Sequence, residues 1–100
     1  MKFPLLLFLG LIFSPVLKAE TFQASSVKTA SGSTIQVGDS FHELVTRMGQ
    51  SPSSMSLYTF TENQKQYRAM RYVYEIEGKQ YFLTIVDNLI RQIEWISLDP

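Results

Sequence analysis

The sequence predicts an α+β fold, with one or two short helices packed on an antiparallel sheet of three to four strands. Two observations carry this. The segment 38–49 is capped, amphipathic and stopped by glycine, which reads as a helix. From Met55 onward the chain turns to strand chemistry, with Tyr- and Val-rich runs separated by the tight-turn pairs Glu77-Gly78 and Asp87-Asn88.

In chain order, Met1 to Ala19 reads as a secretory signal peptide. Lys2 supplies the positive start, Leu5 to Phe13 a short apolar run, Ser14-Pro15 a break, and Ala19 a small residue at the expected cut. The run is shorter than the roughly 20 apolar residues that span a bilayer. The expected organisation is therefore a signal peptide over 1–19, a flexible Ser/Thr-rich leader over 20–33 and a single domain over 34–100. The expected location is periplasmic or secreted.

Composition narrows the class. The chain has no cysteine, so disulfides, thiol catalysis, cysteine-ligated zinc and a cysteine-linked lipid anchor are all excluded. Loss of Lys2 and Lys18 with the signal leaves the basic residues two short of the 9 acidic ones. The basic residues are scattered singly. That balance gives no reason to expect nucleic acid as partner.

Thr34 to Val37 suits a short strand entering the domain. In the helix, Ser40 is the N-cap and Glu43 stands three residues on, the pattern of a capping box. Phe41, Leu44, Val45 and Met48 make one apolar stripe. Gly49 suits a left-handed C-terminal cap, Pro52 prevents continuation, and Arg47 lies near the negative end of the helix dipole. Ser51 to Ser54 reads as a loop, Met55 to Thr61 as a strand, and Glu62 to Lys65 as a polar connection. Gln66 to Glu77, Lys79 to Val86 and Leu89 to Leu98 read as the remaining strands.

Register follows from the turns. Glu77-Gly78 as a two-residue loop sets Ile76 against Lys79, Tyr74 against Tyr81, Tyr72 against Leu83 and Met70 against Ile85. One face then carries Met70, Tyr72, Tyr74, Tyr81, Leu83 and Ile85, a surface for the helix stripe. Asp87-Asn88 as the next loop sets Ile85 against Ile90. It also sends Ile93 and Trp95 to the other face with Val73 and Phe82. Two readings are open here. A β-bulge near Arg91-Gln92 returns Ile93 and Trp95 to the core. Alternatively, the second face carries an apolar, Arg-flanked patch of Arg71, Val73, Phe82, Arg91, Ile93 and Trp95, a candidate partner surface.

Catalytic ingredients are present but poorly disposed. Asp39, Ser40, His42 and Glu43 include a nucleophile, an imidazole and two carboxylates, yet Ser40 and Glu43 are committed to the helix cap. His42 is the chain's one histidine and has no second metal-ligating partner at a suitable spacing. Glu75, Glu77 and Glu94 read as solubility and edge protection rather than a carboxylate pair. The expectation is a protein that is not an enzyme and carries no cofactor or metal. The aromatics Tyr58, Phe60, Tyr67, Tyr72, Tyr74, Tyr81, Phe82 and Trp95 read as cross-strand packing with a share of binding residues.

The run Gly38-Asp39-Ser40, with Leu44, Met48, Gly49 and Pro52 after it, resembles the signature of the SmpA/OmlA domain, the BamE-like family of small exported proteins. The closing Ile93-x-Trp95 of an antiparallel meander is similar too. The resemblance covers Val37 to about Leu98. It implies helices on a small antiparallel sheet and an accessory role in envelope assembly, with another envelope protein as partner. The same shape is similar to that of the β-lactamase-inhibitor protein, which implies a second role, inhibition of a hydrolase of the lysozyme or β-lactamase type.

Overall fold

A computed structural model describes residues 20–99, so the expected signal peptide lies outside the described residues. The strands are β1 (Phe22–Ala24), β2 (Ser26–Lys28), β3 (Thr34–Gln36), β4 (Ser54–Glu62), β5 (Lys65–Ile76), β6 (Lys79–Val86) and β7 (Leu89–Ser97), with one helix, α1 (Phe41–Met48), between β3 and β4. One sheet is five-stranded in the order β1-β7-β6-β5-β4; β2 and β3 form a separate two-stranded sheet.

This overturns the expected α+β class. The described chain is mostly antiparallel sheet, seven strands in two sheets with one short helix, not one or two helices on three to four strands. The physical reason is short-range illegibility. The extra strands β1, β2 and β3 are each three residues long, too short to show a period of two. Two of them lie in the segment expected to be a flexible leader. Tertiary partners create them: β1 pairs with the outer edge of β7, setting Phe22 against Trp95, and β2 pairs with β3.

The helix forms where expected, for the expected reason. The Ser40 hydroxyl accepts from the Glu43 backbone N–H at 3.1 Å, and Glu43 Oε1 accepts from the Ser40 N–H at 2.9 Å. Gly49 closes the helix at φ 70°. Leu44 and Met48 point into the core, while Val45 of the same stripe is exposed. Backbone bonds tie the helix start to the end of the large sheet. Gly38 N–H donates to the Ile90 carbonyl (2.8 Å), Ile90 N–H to that of Asp39 (2.9 Å), and Phe41 N–H to that of Asn88 (2.8 Å).

The helix and the β2–β3 hairpin cover one face of the sheet. The core between these layers contains Val27, Ile35, Leu44, Met48, Tyr74, Ile76, Leu83, Ile85, Ile90 and Ile93. Burying a Val, Leu or Ile side chain is worth about 1.5–3 kcal/mol, so this layer holds a chain that has no disulfide.

Three two-residue hairpins connect β4 to β7. Their loop residues all have positive φ: Asn63 52° and Gln64 64°, Glu77 48° and Gly78 78°, Asp87 51° and Asn88 67°. Such turns match the natural twist of the flanking strands. The expected β5–β6 register is the observed one, from Ile76 opposite Lys79 to Met70 opposite Ile85. Between β6 and β7 the register shifts by one. Ile85 faces Ile90 but Thr84 faces Gln92, leaving Arg91 as the extra, bulged residue.

Candidate partner-binding surface

The bulge at Arg91 decides which side chains share a face. Beyond it Leu83 faces Ile93 and Tyr81 faces Trp95, so both β7 residues lie on the covered face. Ile93 is buried in the core, and Trp95 stacks on Phe22 at 4.6 Å and sits beneath the Lys79 ammonium at 4.8 Å. Arg71, Val73, Phe82 and Arg91 occupy the opposite face. The six residues expected to form one patch are thus divided, four on one side and two on the other. The bulge also puts Glu75 and Glu94 on one face, through the pairs Glu75–Gln80 and Phe82–Glu94.

On the open face, side chains lie flat across one another. The Arg71 guanidinium stands 3.7 Å from the Tyr58 ring centroid and 5.8 Å from that of Phe82. Arg91 lies over Tyr67 at 5.2 Å and Phe60 at 5.9 Å, and pairs with Glu62. Beneath these long side chains Val73, Ala69 and Thr84 are buried without a second layer of backbone. Two buried polar atoms here, Arg71 Nε and Thr84 Oγ1, have no hydrogen-bond partner among the described residues.

The Glu62–Arg91 pair shows that this face is concave. Their strands are separated by β6 and β5, which in a flat sheet puts them about 14 Å apart at 4.7–4.9 Å per strand. The cause lies in strand length. β5 runs 12 residues and β6 only 8, so the β4–β5 hairpin projects beyond β6 as a two-stranded ribbon. Such ribbons twist most strongly, and the twist carries the tip back over the face. A cleft of about 500 Å³ results, lined by Gln23 of β1, the β4 run Tyr58 to Glu62, and Arg91 and Gln92 of β7.

The margin at β4 differs in character. Leu57 is 76% exposed and Met55 59% exposed, on the same side as the helix but beyond its cover. Beside them is an apolar groove of about 310 Å³, whose lining includes Phe41, Leu57, Met70, Tyr72 and Ile85, with Arg68 and Asp87 also at its wall. Phe41 and Tyr72 pack at 5.2 Å and form its floor. Sequence reasoning placed a strand here but did not single out Met55 and Leu57 as surface residues. The available signal was the alternation Ser54-Met55-Ser56-Leu57, with no proline and no charge before Glu62.

The residues that suggested chemistry are otherwise engaged. Asp39 Oδ2 accepts from the Gln36 N–H (2.9 Å) and from Arg47 (3.2 Å), which also reaches Glu43 Oε2 (3.2 Å) and the Thr34 carbonyl (3.3 Å). Hydrogen bonding from the Ser40 N–H, with the nearby Arg47 charge, holds the Glu43 carboxyl below its ordinary pKa of 4.5. Together these contacts fasten β3 to α1. His42 is exposed on the first helical turn. Among the described residues no group of three His, Cys, Asp or Glu side chains is placed to hold a metal ion.

No family model matches the chain, and no curated protein or solved structure matches it.

Proposed function

We propose that this chain is an exported, non-enzymatic protein-binding module that engages another envelope protein along its β4 margin. The observation that carries the reading is the exposure of Leu57 and Met55, the two most exposed large apolar side chains among the described residues, beside an apolar groove. Exposed apolar surface next to a formed groove is the usual mark of a contact site. Arginine and aromatic side chains, the types enriched at binding hot spots, crowd the adjoining concave face. An accessory role in envelope assembly is the form of this function that the SmpA/OmlA resemblance implies.

The test is site-specific photocrosslinking in intact cells. A photoreactive residue at Leu57 is expected to yield a discrete adduct with one envelope protein. The same residue at Glu77, on a distant turn, is expected to yield none. Met55→Glu, on the same strip, is expected to abolish the Leu57 adduct while leaving the fold intact. Equal labelling from Leu57 and Glu77 would remove the β4 margin as the contact site.

A further inference from the structure

The β4 margin has a second property, held in its backbone. The loop Asn63-Gln64 closes the β4–β5 hairpin on the pair Glu62–Lys65. In a two-residue hairpin that closing pair exchanges both backbone hydrogen bonds, and bonding then alternates along the ladder. Phe60 and Tyr58 therefore bond inward to β5. Thr61, Thr59 and Leu57 turn their N–H and C=O groups outward, where no strand of the described residues lies. The equivalent hairpin of β6 and β7 checks the rule. There, alternation from Val86–Leu89 sends the Ile90 groups outward, and Gly38 and Asp39 take both of them.

We propose that β4 accepts an added strand from a partner protein, and that the partner segment alternates apolar and polar side chains. This rests on the protein-binding reading above and names the chemistry of the partner. Natural sheets blunt exposed edges with lysine, proline, bulges or very short strands. β4 is nine residues long, contains neither lysine nor proline, has no register shift against β5 and carries its one charge at its last residue. Outward backbone groups on such an edge supply affinity, and pockets on each side of the new strand supply specificity.

The two sides of the edge differ in chemistry, and that sets the partner's pattern. On the helix side, an added strand lies beside Leu57 and Met55 and over the groove floored by Phe41 and Tyr72, which takes apolar side chains. On the other side it meets the mouth of the cleft, where Gln23 and Gln92 offer amides and Arg91 is already neutralised by Glu62. Uncharged polar side chains fit there. Successive residues of a strand point to opposite faces, so the segment must alternate.

The test uses the purified protein and a capped seven-residue peptide alternating Ile or Val with Thr or Ser, against a peptide of the same composition in scrambled order. The alternating peptide is expected to slow amide exchange at Leu57, Thr59 and Thr61 at least tenfold, and the scrambled one to leave it unchanged. Thr59→Pro and Thr61→Pro each remove an outward N–H that the β5 ladder does not use. Each is expected to weaken peptide binding at least tenfold without lowering the thermal midpoint. Exchange at those three amides that ignores the alternating peptide overturns the proposal, even if a proline variant fails to fold. So does Thr59→Pro binding as tightly as the parent. Protection of the same amides in the free protein, rising with its concentration, would instead identify a second copy as occupant and overturn the assignment to a separate partner. A Leu57 crosslink that survives Thr59→Pro would retain the binding module and reject strand addition.

Discussion

The two margins of the large sheet are treated in opposite ways. At the β7 side, the edge is filled piece by piece. β1 takes Ile93 to Trp95, and the chain crossing at Gly38 and Asp39 takes Ile90. The terminal strand β1 is only three residues long and lies beside the stacked Phe22–Trp95 pair. At the β4 side, no other described strand pairs with the outer edge of the nine residues, and two large apolar side chains are exposed. A sheet can protect an edge at little cost in chain length, as the first margin does with a few residues. Leaving the other open and apolar does nothing for folding, and it is the feature that the proposed strand addition would use.

That contrast can be broken by mutation. The largest difference is expected between Leu44 and Leu57. Leu44 is buried in the layer over the sheet, so Leu44→Ala should lower stability by about 2–5 kcal/mol. Leu57→Ala at the open margin should change it by less than about 0.5 kcal/mol. Urea unfolding of both variants measures this. A large loss from Leu57→Ala would show that the margin is structural.

A smaller effect tests the concave face. Thr84 is fully buried, and its hydroxyl lacks a partner among the described residues. Thr84→Val replaces that hydroxyl with a methyl of similar size. An unsatisfied buried polar group costs about 1–3 kcal/mol. The variant should therefore be at least as stable as the parent, with a denaturation midpoint unchanged or raised. A clear drop would mean that the hydroxyl is used.

The smallest effect concerns the anchor that holds the covered side. Glu43 has its pKa lowered by the Ser40 N–H and by Arg47. A lowered carboxylate contributes stability that is fully present above its unfolded pKa, near 4.5, and lost as pH falls through the folded value. Thermal melts from pH 7 to pH 3 should thus fall more steeply for the parent than for Glu43→Gln. Parallel profiles would show that the cap carries no pH-linked stability.

Much of the local structure was legible because its causes are local. The helix needed only Ser40, Glu43, the apolar stripe and Gly49. The turns at Glu77-Gly78 and Asp87-Asn88 set the β5–β6 register and the first pair of β7. Of the candidate surface, Arg71, Val73, Phe82 and Arg91 do share a face, since the period-two pattern and the β5–β6 turn place the first three. Ile93 and Trp95 do not join them. Their side depends on a bulge that the alternation could suggest but not choose.

The sequence by itself therefore determined the capped helix, the hairpin turns at Glu77-Gly78 and Asp87-Asn88 and the absence of disulfide cross-links, because each depends on residue types or on neighbours within a few residues. Only the tertiary structure decided that 20–33 carries strands, that Arg91 is bulged and that the β4–β5 ribbon curls until Glu62 meets Arg91. It alone left the outer edge of β4 unpaired among the described residues. Strand pairing, twist and edge exposure are set by residues far apart in sequence, and no window along one chain contains both partners.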